Sequence, residues 1–445
     1  MILEIENLGS NGEGIGRRDN LTVFVEGALP NEEILAEVQQ NKKNYAVAKL
    51  IKILRESDDR VKPFCPIYDE CGGCQLQHLS YAAQLKYKRQ QIIDALEHIG
   101  KIFDVEVFDT LGMENPLCYR NKMQFPVARE KNNLIVGCYV RGSHKIIDTD
   151  SCMIQREGMD EVLTVVKKIL QKFNISAYDE DTHRGVLRHV MSRIGFNGEI
   201  MIVLVTAIKN LPAEKNIVRA IRHALPKVAS VQQNIQTFHN NVILGRETKI
   251  LYGKPTIKDK ICGLTFNISA RSFFQVNTAQ AEILYKVALN FAELTGRETI
   301  IDAYCGIGTI TLFMAKFARK VYGIEIVPTA IEDAKKNARE NNIRNAEFFA
   351  GDAVKIIPKL FREGVRADLV IVDPPRAGCD KKVLEIFAAM NPAKIIYVSC
   401  NPATLARDLS ILRELGYFAK KIQPVDMFPF SSHIESVTLL EKLSR

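Results

Sequence analysis

The stretch Ile300-Ile-Asp-Ala-Tyr-Cys-Gly-Ile-Gly-Thr309 decides how this chain is read. A short apolar strand, Thr299–Ala303, runs into a Gly-x-Gly turn and then into a helix. Two glycines at such a turn let a ligand approach the backbone closely. Outward from it the rhythm repeats. Lys320–Ile324, Ala346–Phe349, Leu369–Val372 and Lys394–Val398 are further apolar strands separated by helical stretches. That alternation implies an α/β fold whose parallel sheet is covered on both faces. Acids stand at the carboxyl ends of successive strands: Glu325, Asp352 and Asp373. In open α/β sheets that edge binds ligands. Any one of these acids alone reads as a helix cap, but four in register with Asp302 read as a ligand site.

A dinucleotide site would need a third glycine, which is absent here. An acid beside the loop suits a cationic or neutral ligand better than a pyrophosphate. Glu325 follows Asp302 by 23 positions, near the spacing of an acid that takes ribose hydroxyls. The whole pattern resembles a class I, Rossmann-like S-adenosylmethionine methyltransferase.

Val398-Ser-Cys400-Asn-Pro-Ala-Thr-Leu-Ala-Arg-Asp places a cysteine just past a strand, on the same edge, before a helix at Ala403–Glu414. A thiol near a helix N-terminus is expected to gain thiolate character. The alternative is an ordinary core cysteine. Further on, Asp426-Met-Phe-Pro-Phe-Ser-Ser-His433-Ile-Glu435 forms a loop before a final strand at Val437–Leu440. His433 or Glu435 there can act as a base. Together these groups suit methylation of uracil carbon 5. A thiolate adding at carbon 6 makes carbon 5 nucleophilic, and a base then removes the carbon 5 proton.

The segments Ser272-Phe-Phe-Gln-Val-Asn277, Asp302–Thr309, Asp373-Pro-Pro-Arg376, Val398–Asp408 and Asp426–Glu435 resemble the RNA (uracil-5-)-methyltransferases. The resemblance covers nearly the whole chain. It implies Cys400 as nucleophile and Glu435 as proton acceptor. It also implies that Gln275, Tyr304, Thr309, Glu325, Asp352 and Asp373 hold S-adenosylmethionine, with Phe273 and Arg376 near the target base. Cytosine-5 enzymes place a cysteine in an Asp-x-Pro motif. Here Asp373-Pro-Pro is followed by Arg376, and Cys379 comes later, so uracil is favoured. Cys305 and Cys379 are the competing thiols to consider.

Cys65-Pro-Ile-Tyr-Asp-Glu-Cys71-Gly-Gly-Cys74 is a second motif. Three cysteines in ten positions of a Gly/Pro-bearing loop point to metal, with Cys118, Cys138 or Cys152 as a fourth ligand. By spacing, zinc and a [4Fe–4S] cluster are both open. The resemblance implies an iron–sulfur cluster on Cys65, Cys71, Cys74 and Cys152. A radical Cys-x-x-x-Cys-x-x-Cys motif is absent.

The remaining features set the frame. The chain has 445 residues, 47% hydrophobic and 25% charged, which is the composition of a folded protein of two to four domains. Mean hydropathy is −0.05, and no apolar run approaches a membrane span. The N-terminus lacks a secretory pattern. A cytoplasmic protein is expected, and ten cysteines are then not read as disulfides. The net charge of +8 is uneven, at −3 over residues 1–60, 0 over 61–150, +7 over 151–260 and +4 over 261–445. A basic surface of this kind suits a polyanion. Strand-like segments Leu3–Ile5, Leu21–Val25, Ile34–Val38 and Ala46–Leu54, with a flexible glycine loop at Asn11–Gly16, suggest a small barrel.

The expected organisation is therefore a barrel resembling the TRAM domain over 1–58, a central β-rich α+β domain over 59–264 and a methyltransferase domain over 265–445. A helix at 81–99 is expected to pack on the last, and the central strands are expected to form an antiparallel sheet. Barrel plus cysteine loop resembles the 23S ribosomal RNA branch of the family, acting as a monomer on a flipped uridine. A transfer-RNA enzyme and a non-catalytic RNA-binding factor are the alternatives.

Overall fold

A computed structural model describes residues 1–131, 133–240 and 242–442. The strands Ile2–Leu8, Gly14–Arg18, Leu21–Glu26, Glu33–Asn41 and Tyr45–Arg55 close into a barrel. Alternate side chains point inward, with Leu3, Ile5, Val23, Val25 and Ile34 filling the interior. Part of the expected glycine loop is a strand. At Gly14 and Gly16 a Cβ would sit 2.8 and 2.7 Å from the carbonyl oxygens of Ala28 and Glu4. These two glycines serve close packing between strands rather than flexibility.

The middle of the chain forms a seven-stranded sheet with the helices Met159–Lys172 and Glu214–Ala224. It is mixed rather than antiparallel. Ile200–Thr206 and Val228–Ile235 run parallel, because the helix Glu214–Ala224 crosses between them.

After a two-stranded hairpin, Thr256–Ile261 with Leu264–Ser269, the last sheet has eight strands, in the order Ala346–Ala350, Lys320–Glu325, Thr299–Ala303, Leu369–Val372, Lys394–Ser399, Glu435–Lys442, Tyr417–Val425 and Glu106–Val107. The first five are parallel, and Glu435–Lys442 turns antiparallel against Lys394–Ser399. Thr299–Ala303 and Leu369–Val372 are buried along their whole length, as strands covered on both faces must be. Ile300, Ile371 and Val398 pack on one face, and Ile301, Val370 and Tyr397 on the other. This α/β architecture with an N-terminal barrel is the one the sequence implies.

Ser80 caps the helix Tyr81–Ala95, which widens into one π-helical turn, Leu96–Gly100, and stops where Lys101 turns left-handed. Gly100 lets this turn approach the helix Pro402–Glu414, since a Cβ there would lie 2.9 Å from the Ala406 carbonyl oxygen. The first part of the chain also lends the last sheet an edge strand, Glu106–Val107. No helix among the described residues is long and apolar enough to cross a membrane.

Candidate active site

The sheet's topology creates the site. From Thr299–Ala303 the chain winds outward through two strands, then returns to add Leu369–Val372 on the other side. The crevice at this reversal lies between Tyr304 and Asp373, at the carboxyl ends of both strands. Tyr304 adopts φ 68° and Gly308 φ 85°, a left-handed backbone that bends the loop sharply into the helix Thr309–Ala315. A Cβ on Gly308 would lie 3.1 Å from the Phe348 ring.

Each acid of the edge has its own surroundings. Glu325 accepts hydrogen bonds from the Gly306 N–H at 3.2 Å and the Val327 N–H at 2.9 Å. It is thereby folded back onto the glycine loop. Asp352 caps the helix Ala353–Arg362 through the Val354 N–H. Asp302 is buried and accepts from the Thr311 hydroxyl, while its other carboxyl oxygen has no partner. Burial, then the Asp373 charge, raises its pKa to about 7. Asp302 lay inside the quoted motif, but only the fold shows it to be a buried carboxyl with a free oxygen. Thr309 accepts from the Tyr285 hydroxyl at 2.9 Å. Gln275 is 4% exposed, and its carbonyl accepts from Asn121 Nδ2.

Cys400 and Glu435 end adjacent antiparallel strands. The last residues paired are Ser399 and Ser436, so Cys400 and Glu435 stand at the next step across. Asp373 and Arg376 complete the group. Glu435 is buried, and burial together with the Asp373 carboxyl pushes it up to about 8, with Arg376 opposing. Burial alone pushes Asp373 to about 7.

The surroundings of Cys400 oppose the expected thiolate character. Burial, followed by the Glu435 and Asp373 charges, raises the thiol to about 11, with the Arg376 charge drawing it back down. The helix dipole does little because Cys400 lies outside the first turn. Asn401 is the cap, its side chain already accepts from the Ala403 N–H, and Pro402 has no N–H to offer.

Cys305 and Cys379 are shut away. They are 6% and 5% exposed, and burial drives both thiols upward. His433 is held neutral, down at about 4, by burial and then by the Arg376 charge. Its Nε2 lies 3.2 Å from Arg376 Nη2.

Arg376 and His433 also belong to the wall of a cavity of about 870 Å³. Gln275 and the 73%-exposed Phe273 line it, with Arg120, Lys122 and Arg193. Among the described residues none of its four Arg and Lys side chains forms an ion pair, and no Asp or Glu lines the cavity. The spatial union of these cations was not legible in the sequence, because they come from three separate segments, around Arg120 and Lys122, at Arg193 and at Arg376.

The far wall of the same cavity carries Cys65, Cys71, Cys74, Cys138 and Cys152. Cys65, Cys74 and Cys152 meet Tyr68, Tyr119, Ile154 and Phe430 in one apolar cluster. Among the described residues, no three His, Cys, Asp or Glu side chains converge as a formed metal site. Cys71 instead lies beside Cys138, and a hydrogen bond from that thiol draws its pKa down. Cys118 is exposed and outside this wall.

Residues 80–443 match the family described as tRNA (Uracil-5-)-methyltransferase, and residues 2–51 match the TRAM domain. An uncharacterized RNA methyltransferase of Halalkalibacterium halodurans is 51% identical over 438 residues, covering 98% of this chain and 96% of the relative. One from Clostridium tetani is 51% identical over 439 residues, covering 98% and 95%. The crystal structure of Pyrococcus abyssi tRNA (uracil-54, C5)-methyltransferase in complex with S-adenosyl-L-homocysteine is similar, with TM-score 0.77 and 30% identity. The match covers 99% of this chain and all of that one.

Proposed function

This chain belongs to the tRNA (uracil-5-)-methyltransferase family and is an S-adenosylmethionine-dependent RNA methyltransferase, and from that premise we propose that it methylates carbon 5 of a uridine through a covalent bond from Cys400. The observation that carries this reading is the meeting of Cys400 and Glu435 at the ends of paired strands. The Cys400 thiol gives its proton to solvent and its sulfur bonds to uracil carbon 6, moving the carbon 5–carbon 6 double-bond pair into the carbon 4 carbonyl and making carbon 5 an enolate carbon. Carbon 5 takes the methyl group from the donor's sulfonium, and S-adenosylhomocysteine leaves. Glu435 then removes the carbon 5 proton, the carbon 5–carbon 6 double bond re-forms, and the thiolate is expelled.

Charge supports each step. The donor's sulfonium, entering beside Asp302 and Asp373, favours their ionised forms. Glu435, pushed up to about 8 by its surroundings, is a stronger base than an ordinary carboxylate. Arg376 stabilises the Cys400 thiolate. Gln275, Tyr304, Thr309, Glu325, Asp352 and Asp373 hold the donor in this reading, while Phe273 and Arg376 face the base.

The four unpaired cations of the cavity suit a polyanion, and the target uridine must leave its stack to reach carbon 6. We take the RNA to be 23S ribosomal RNA, because the barrel and the cysteine loop accompany the catalytic fold. Transfer RNA is the second reading, favoured by the substrate in the Pyrococcus abyssi enzyme's name. Incubating the protein with unmodified transcripts of each and mapping 5-methyluridine separates them. Product in neither rejects both.

Five cysteines on one apolar-backed wall are the kind of donor set a [4Fe–4S] cluster takes, and binding one would require the thiols, of which no three converge among the described residues, to draw together and lose their protons. Cys65, Cys71, Cys74 and Cys152 would hold it, and its contribution there is to brace the loop. The functional units in this reading are 1–58, 59–264 and 265–445, in a monomer acting in the cytoplasm.

A further inference from the structure

The loop between Val425 and Glu435 is closed by the pairing of those two residues and carries His433. Its five leading carbonyls are each taken by a donor from another part of the chain. Gln280 Nε2 donates to Asp426 at 2.9 Å, Asn277 Nδ2 to Met427 at 3.1 Å and Lys88 Nζ to Phe428 at 3.0 Å. The Tyr119 hydroxyl donates to Pro429 at 3.3 Å. The Gln75 and Leu76 N–H groups donate to Phe430 at 3.0 and 2.9 Å.

Phe430 itself takes φ 66°, and its N–H is accepted by Gln84 Oε1 at 3.0 Å. A loop this fully fastened is held in one shape. The two residues next to Cys74, and the helix after them, supply much of the fastening.

Lys88 is the unusual member. It lies on the buried face of the helix Tyr81–Ala95, wholly enclosed, and pairs with the equally enclosed Asp426 at 2.5 Å. The Tyr81 hydroxyl donates to the second Asp426 oxygen at 3.0 Å, and the Phe428 N–H donates to the first at 3.2 Å. A buried ion pair is weak evidence for stability, because desolvation offsets most of its attraction, so its best-attested use is to fix one arrangement over others. Here the arrangement fixed is the loop that leads into Glu435.

We propose that Lys88, through Asp426 and the Phe428 carbonyl, is a positioning residue for proton removal by Glu435, tying the cysteine-rich segment to the second half of the reaction. This rests on Glu435 being the base. Cys400 lies between the end of the other strand at Ser399 and the Asn401 cap of the next helix, and the hydrogen bonds of Lys88 go to neither. Adduct formation and adduct resolution therefore depend on Lys88 unequally.

The test uses the full-length protein, S-adenosylmethionine and a mixture of unmodified 23S ribosomal RNA and transfer-RNA transcripts under single-turnover conditions. Removing Lys88 alone strands a buried carboxylate and risks misfolding. The variant to study is therefore the double substitution Lys88→Met with Asp426→Asn, which removes both charges, with its Tm recorded. The expected result is adduct formation within about threefold of wild type and adduct decay slowed tenfold or more. Formation and decay falling by the same factor, formation falling alone, or neither changing overturns the proposal. Glu435→Gln is run beside it. If that protein resolves its adduct at the wild-type rate, the base assignment has failed, which is a separate outcome from a failure of Lys88.

Discussion

Cys400 and Glu435 face each other one step beyond the Ser399–Ser436 pair, where two antiparallel strands reach the ligand edge of the sheet. In the proposed reaction these are nucleophile and base, and groups at the ends of neighbouring strands move little relative to each other. Both can therefore act on the two ends of one carbon–carbon bond. Cys400→Ala is expected to abolish methyl transfer while leaving S-adenosylhomocysteine binding within about threefold. Calorimetry and a labelled-methyl assay on the same preparation check this, and retained turnover would remove Cys400 from the reaction.

Acidity in the cluster gives a pH prediction. Glu435 and Asp373 are raised in the folded protein, to about 8 and about 7. A base must be ionised, so adduct decay in the wild type should rise as pH passes through about 8 and then level.

The same shifts act on stability, with the opposite sense. Carboxyls raised on folding favour the folded state fully below their unfolded pKa near ~4, and that contribution is lost as pH rises through the folded values. Glu435→Gln should therefore gain stability relative to wild type as pH increases toward about 8 to 9. The gain is of order a few kcal/mol. Urea titrations at pH 5 and pH 9 read it, and a smaller difference from wild type at pH 9 than at pH 5 would contradict it.

Much of this was legible in the sequence because the information was local. The strand–Gly-x-Gly–helix run, the acids ending later strands, and the cysteine before Asn401-Pro402 are each encoded within a few residues. The barrel followed from alternating apolar positions, although the strand Gly14–Arg18 was hidden by glycines that serve packing. The mixed order of the central sheet depends on a crossover that alternation does not report. Lys88 and Asp426 are 338 positions apart, and no pattern in the chain announces their pairing. Local reading also misjudged Cys400, since nearness to a helix start favours the thiolate while burial and two carboxyls, one of them brought from the end of the chain, oppose it.

Glu325 offers a test of the donor site. Its carboxylate organises the glycine loop through the Gly306 N–H, at the carboxyl end of its strand. Glu325→Ala should weaken S-adenosylhomocysteine binding about 10- to 100-fold, the loss of a charge-assisted hydrogen bond. An unchanged Kd by calorimetry would place the donor elsewhere.

Gly308 should not tolerate a side chain. Its left-handed backbone and the Phe348 ring 3.1 Å from a new Cβ together predict that Gly308→Ala destabilises by about 1–3 kcal/mol and weakens donor binding. Denaturant melts with and without S-adenosylhomocysteine separate the two effects.

Protein purified without oxygen should be brown and absorb near ~400 nm, as thiolate-bound iron–sulfur clusters do. Cys71→Ser should remove that band. A colourless wild-type protein carrying stoichiometric zinc would replace the cluster with a zinc site.

The most direct measurement of the central claim is mass spectrometry of Glu435→Gln after a single turnover on RNA, followed by nuclease and protease digestion. The account predicts one peptide, that containing Cys400, carrying a methylated uracil nucleotide. The same peptide recovered unmodified, or the nucleotide attached to another cysteine, would contradict it.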